Sequence, residues 1–291
     1  MFNGLHINPG YAGYKSEGYI QSTYRSQWIG LPGAPRTFTV TADLSSNEGM
    51  QGFGVSFLSD QIGPARTSGG LFTYAYRLRV GEESFLSFGL SGGFTEYMID
   101  GSLLQYNDKD DPNMPTDRER MVTPNMNAGA FFYTDRFYVG LSAFNMIGKE
   151  ALLREDLSLA FHDFHYYLTA GVMVPLSDVV LFKPSFLVRE VKGAPTNYDL
   201  NSMFLFMDRL WLGASYRSNV NVWNDHIENS LTSRNALAFI LEVYATDNIR
   251  VGYAYDHNLN VLQSYRANSH ELSVGYYLTP KNKKLKNPRW F

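Results

Sequence analysis

Along this sequence, runs of about ten residues with period-two hydrophobicity are separated, in strict alternation, by short polar turns and longer loops. That ordering constrains the fold more than any motif does. Consecutive antiparallel strands joined by connections that are short at one end and long at the other make an up-and-down sheet. A long sheet of this kind escapes exposed edges by closing into a barrel. Bacterial outer-membrane barrels carry the same asymmetry, with tight periplasmic turns and longer surface loops.

The alternation is clearest in the second run, where Thr37, Thr39, Thr41 and Asp43 share one face and Phe38, Val40, Ala42 and Leu44 the other. Strands are expected near 17–27, 36–45, 51–59, 69–80, 84–98, 123–133, 136–144, 163–174, 179–190, 198–207, 210–217, 235–244, 248–256 and 269–278. These are about fourteen, the even number usual for single-chain bacterial barrels. Met173 and Met203 blur the pattern in the eighth and tenth. Long loops are expected near 28–35, 60–68, 99–122, 145–162, 191–197, 218–234 and 257–268. An even count places both termini on the short-turn, periplasmic side. The fold class is therefore all-β, an integral outer-membrane up-and-down antiparallel barrel, with residues 1–279 as a single domain. Residues 280–291 form a basic periplasmic tail containing Lys281, Lys283, Lys284, Lys286 and Arg289, which is a solvated end or a docking segment for an acidic partner.

Composition agrees where it is informative. The mean hydropathy of −0.24 reflects two faces averaged together, because a barrel strand needs only one apolar face. Tyr and Phe number 20 each, as expected where aromatic girdles mark two membrane interfaces. The run Ala236 to Ala245 is interrupted by Glu242 and is far short of the roughly 20 apolar residues of a membrane helix. A formal net charge of −3 gives no footprint for nucleic acid. Without cysteine there are no disulfides, thiolate metal sites or thiol nucleophiles. Met1 is followed by neither a basic nor an apolar signal region, so a signal peptide is expected to have been removed.

The inward face is rich in Gly and Ser, which suits a crowded lumen. It should also carry Arg25, Arg77, Arg79, Lys183, Arg189, Arg217, Arg250, Asp43, Asp256 and Glu271. These form either an anion-selective pore or, more commonly in such barrels, an internal ion-pair network. The acidic loop Asp108–Arg120 has oxygen ligands suited to calcium, but interleaved Lys109, Arg118 and Arg120 offset them. His162 and His165 fall on opposite faces of a strand and do not suggest a shared metal. Ser269 and His270, and Asp256 and His257, are adjacent and so point opposite ways. No G-x-S-x-G, H-E-x-x-H or P-loop occurs. No enzyme, cofactor or metal centre is expected.

Several blocks resemble one family. Asn8-Pro-Gly-Tyr-Ala-Gly13, Tyr24-Arg-Ser-Gln-Trp28 with Gly33-Ala-Pro35 and Thr37, and Gly52-x-Gly54 with Asp60-x-Ile62-Gly63 and Tyr74-Ala-Tyr76 occur in order. Lys183-Pro-Ser-Phe-Leu-Val188, Gly193-Ala-Pro195, Asp199-Leu-Asn201, Trp211-x-Gly213-x-Ser215-Tyr-Arg217, Gly252-Tyr-Ala-Tyr-Asp256 and Ser269-His-Glu271 follow. The chain is similar, over nearly its whole length, to the PorP/SprF family of the type IX secretion system of Bacteroidota. Gly10 stands where the family commonly has Ala. The resemblance implies a non-catalytic outer-membrane protein that works in secretion or anchors gliding adhesins. Its implied partners are outer-membrane lipid, a secreted protein with a type B C-terminal signal domain, and periplasmic ring or lipoprotein components.

Many blocks fall at the long-loop end. Arg25, Trp28, Asp60, Asp256 and Glu271 are the candidate cargo contacts there. The same residues would equally serve to tie the loops down over the barrel mouth. The competing function classes are a passive channel for small or apolar solutes and an outer-membrane hydrolase.

Overall fold

The computed structural model describes residues 3–15, 17–46, 49–104, 117–147, 163–220, 222, 235–259 and 268–278. Most of the acidic loop, His162 and the basic tail therefore lie outside the described residues. The strands are β1 (Gly18–Ser26), β2 (Arg36–Ser45), β3 (Gln51–Ile62), β4 (Ala65–Arg79), β5 (Phe85–Asp100), β6 (Arg118–Tyr133), β7 (Phe137–Phe144) and β8 (His165–Val172). They continue as β9 (Val174–Ser177), β10 (Val180–Val191), β11 (Thr196–Phe206), β12 (Leu210–Val220), β13 (Ala236–Tyr244), β14 (Ile249–Asn258) and β15 (Ser269–Leu278). Apart from β8 and β9, each pairs antiparallel with its sequence neighbours, and β1 pairs with β15, which closes the barrel. β8 and β9 both pair with β10 and form one stave interrupted at Met173, giving 14 staves in all.

The period-two pattern is realised as expected. Thr39, Thr41 and Asp43 are buried in the lumen, while Phe38, Val55, Phe57, Phe72, Leu90 and Phe94 lie exposed on the outside. An exposed apolar belt of this kind is stable only against lipid. Glu242, which breaks the apolar run of β13, points inward and pairs with Arg250.

Two expected long loops prove to be tight turns. β3 and β4 run on to a two-residue connection, with Ile62 opposite Ala65 and Gly63 at φ 56°. A glycine at the first central position supplies the positive φ that a two-residue hairpin needs. Between β10 and β11 only residues 192–195 intervene. The sequence misleads here because Asp60, Gln61, Arg66 and Thr67 look like loop residues. They are instead paired across the hairpin, Asp60 with Thr67 and Gln61 with Arg66. A strand beyond the lipid meets water on both faces and loses its alternation. β5 and β6, 16 residues each, extend in the same way past the roughly 9–11 residues a bilayer requires.

The N-terminus is the larger correction. β1 begins and β15 ends at the short-turn end, as expected. Residues 3–15, however, fold up inside the barrel, where a short 3-10 turn at Pro9–Tyr11 lies against β4, β5 and β6.

Candidate functional site

The N-terminal segment is built into the wall. Asn8 caps the 3-10 turn by accepting from Gly10 N at 2.8 Å, and its Nδ2 donates to Ala130 O at 3.0 Å and Leu141 O at 3.2 Å. Such close approach to β6 and β7 requires bare backbone there. A Cβ added at Gly129 would sit 2.2 Å from Asn8 Oδ1; one at Gly89 would sit 2.2 Å from the Pro9 carbonyl carbon; one at Gly52 would sit 2.0 Å from Ala12 O. The inward glycines thus form a groove shaped to the segment.

Polar and aromatic groups hold it along its length. Gly13 N donates to Asp43 Oδ2 at 2.9 Å, Ser142 Oγ to Ile7 O at 2.5 Å, and Arg77 to Ala12 O at 3.3 Å and Gly49 O at 2.6 Å. Tyr11 and Tyr14 pack edge-on to Phe131 within a cluster that includes Leu5, Ala75 and Tyr133. Lys15 Nζ lies 3.7 Å from the Tyr19 ring centroid, within cation–π range. Burial lowers its ammonium pKa, while Tyr277 and Asp43 pull it back up.

Across the lumen the filling is electrostatic. Arg189 donates to Asp199 at 2.9 Å, Arg217 to Asp199 at 3.0 Å and to Asp256 at 3.4 Å, and Arg25 to Asp256 and to Glu271, the latter at 2.9 Å. Three guanidiniums and three carboxylates form one neutral chain over β10, β11, β12, β14, β15 and β1, near the long-connection end. Arg217 reaches Asp256 across β13, whose residues opposite them are Ala236 and Ala238. Mutual pairing of these charges matches the ion-pair expectation rather than a line of free cations. Arg79 departs from it: it sits outside the lumen at the β4–β5 turn, bonded to Gly81 O and Glu82 O. Between segment and network remains a cavity of about 460 Å³ that reaches Lys183 and Trp211.

Of the five candidate contacts, Arg25, Asp256 and Glu271 come together in the network, and Trp28 and Asp60 stand apart on the rim. Trp28 adopts φ 49° and donates its backbone N–H to Ser269 Oγ at 3.2 Å, while Ile29 N donates to Asn268 O at 2.9 Å. Asp60 accepts from Thr37 Oγ1 at 2.5 Å, and Gly63 N donates to Gly33 O at 2.9 Å. These bonds stitch the β1–β2 connection to its neighbours on both sides. Ser269 is buried, but His270 faces outward and meets the Tyr253 hydroxyl at 2.7 Å, so the two do not form a catalytic pair. Among the described residues no group of three or more potential metal ligands occurs.

Periodicity and composition assign no role to Asn8-Pro-Gly-Tyr-Ala-Gly13, yet this block is what fills the groove. The signal lies in its complement, the inward glycines at 52, 89, 129 and 140, which mark where another backbone or side chain must approach closely.

The barrel is similar to solved outer-membrane proteins. It matches the CymD monoaromatic hydrocarbon channel at TM-score 0.55 and 11% identity, covering 96% of this chain and 93% of that one. The crystal structure of a Pseudomonas aeruginosa FadL homologue matches at 0.51 and 11% identity, covering 94% and 93%. Omp33 of Acinetobacter baumannii matches at 0.50 and 11% identity, covering 91% and 99%. At such identities the likeness is one of fold, and it agrees with a location in the bacterial outer membrane. No curated protein matches the chain. The family model described as type IX secretion system membrane protein PorP/SprF matches residues 1–276, and the chain belongs to that family.

Proposed function

We propose that this protein is a non-catalytic outer-membrane component of type IX secretion that holds a secreted protein at its long-connection rim. The observation that carries the reading is the filled lumen. With the N-terminal segment on one side and the ion-pair network on the other, most of the interior is committed to structure, and only a small-molecule-sized cavity is left between them. Recognition of another protein is then left to the rim. The occupant suggested by the family is the type B C-terminal signal domain of a secreted adhesin, as in gliding motility. Trp28 and Asp60 are the proposed contacts, with Arg25, Asp256 and Glu271 lining the mouth behind them. The long-connection end faces the cell exterior in this reading, following the usual asymmetry of such barrels. The short-turn end and the basic tail of residues 280–291 then meet periplasmic ring or lipoprotein components.

The test is surface retention of a reporter fused to a type B signal domain. Trp28→Ala and Asp60→Asn should each reduce retention while the barrel still shows heat-modifiable mobility. Full retention by both folded variants would refute contact through these residues.

A second reading, a passive channel for small or apolar solutes, is favoured by the 460 Å³ cavity. It fits the CymD and FadL-homologue folds, of which the first is a monoaromatic hydrocarbon channel. Solute flux into proteoliposomes separates the two readings, since a plugged barrel is silent.

A further inference from the structure

The cavity has a chemistry of its own, independent of what binds at the rim. Its size falls within the range of small-molecule sites. It is lined by the N-terminal segment, through Ile7 and Tyr11, and by Tyr138, Tyr167 and Trp211. The lining therefore combines aromatic rings with charged side chains. The charged groups are Arg25, Lys183, Arg189, Arg217 and Arg250 against Asp199, Glu242 and Glu271, with Asp256 paired just behind.

Two donors stand together in the lining. Lys183 Nζ lies 5.6 Å from the Trp211 ring centroid and 5.9 Å from that of Tyr138. Trp211 is only 3% exposed, and its indole Nε1–H has no hydrogen-bond partner. Native interiors rarely leave such a donor unsatisfied. An indole N–H can only donate, and it lies beside an ammonium, which also only donates. A ligand meeting both must bring acceptor oxygens and negative charge. One ammonium and one N–H match the two oxygens of a carboxylate, and the surrounding rings suit a flat apolar body.

We infer that the lumenal cavity is a binding site for a small aromatic carboxylate, with its head at Lys183 and Trp211 and its ring against the aromatic rings of the lining. The site stands whether or not solute crosses the barrel and whether or not the rim holds cargo.

The test uses the full chain in nanodiscs of zwitterionic lipid, with 4-phenylbutyrate as probe and 4-phenylbutanol as its neutral counterpart. Calorimetry should show saturable binding of the acid above that of empty discs, with the alcohol at least about tenfold weaker, the scale of one lost charge-assisted hydrogen bond. Lys183→Met should weaken the acid to the same degree, and Lys183→Arg should retain it. Binding should change indole fluorescence in the parent and not in Trp211→Phe. If Lys183→Met fails to assemble, Lys183→Arg and Trp211→Phe decide the matter alone. Absence of saturable binding, equal affinity for acid and alcohol, or a fluorescence change that survives Trp211→Phe would each overturn the assignment.

Discussion

The two halves of the lumen are closed by opposite means. On the side of β2 to β7 the N-terminal segment lies on bare backbone, sealed by aromatic rings and by hydrogen bonds to main-chain carbonyls. On the side of β10 to β15 and β1, long side chains span the gap as ion pairs. The first half is held by shape, so it has no room for added atoms and little dependence on salt. The second is held by charge, so it tolerates movement of flexible side chains but not removal of a partner. A barrel that must admit one particular segment against one wall, and leave a cavity beside the other, needs both.

Adding one methyl group to the shaped half should produce the largest effect. In Gly89→Ala the new Cβ would lie 2.2 Å from the Pro9 carbonyl carbon and 2.4 Å from Gly10 N. Both obstacles are backbone, so no rotamer change relieves them. Overpacking costs about 1–3 kcal/mol in well-packed interiors and more where nothing can yield. The expected outcome is a folded barrel whose N-terminal segment leaves its groove. Limited proteolysis should cleave residues before β1 only in the variant, and planar-bilayer conductance should rise. A protected segment in Gly89→Ala would show that the groove is wider than its glycines imply.

In the charged half, Asp256 is the member to remove, because it alone joins Arg25 to Arg217. Asp256→Ala leaves two partly buried guanidiniums facing one another with one carboxylate fewer. Breaking a buried pair in this way costs about 3–5 kcal/mol; the adjoining cavity places the expectation at the lower end, about 3 kcal/mol. Denaturant unfolding in detergent measures it, and raising the salt should narrow the gap from the parent by screening the arginines. The N-terminal segment should stay protected from protease, which separates this defect from that of Gly89→Ala. Loss of protection in both would mean that the halves are one cooperative unit.

The barrel is legible in the sequence because lipid imposes a strong rule: one face of every strand must be apolar. That rule places β2, β13 and β15 nearly to the residue. It weakens where lipid stops. The hairpin at Gly63 and the tops of β5 and β6 read as loops, since polar residues on both faces of Asp60–Thr67 look alike whether paired or not. It also fails at Met173 and Met203, which pack inside with Leu205 and Trp211 and so put apolar residues on the face expected to be polar. The network is half legible: alternation puts Arg25, Asp256 and Glu271 inside, but which charge meets which depends on register and on small residues such as Ala238. The folded-in N-terminus is not legible from periodicity, for it has none. Its complement, the glycines of the wall, is visible in the sequence without the object that explains it.

Ala238 offers the smallest and most discriminating perturbation. It lies opposite Ser215 on β12 and Asp256 on β14, under the span by which Arg217 reaches Asp256. It plays for the charged half the part that Gly89 plays for the other, keeping the wall low where something must pass. Ala238→Val raises that wall by two methyl groups, yet the obstructed group is the end of an arginine rather than a backbone. Arg217 keeps its 3.0 Å bond to Asp199, and Asp256 keeps Arg25, so only the 3.4 Å bond is expected to go. The loss should be about 1 kcal/mol, the scale of one hydrogen bond between partly solvated charges. In an Asp256→Ala background it should shrink toward zero, because the bond it breaks is already gone. A cost that remains undiminished there would mean that Ala238 is constrained by packing alone, and that shape governs both halves of the lumen.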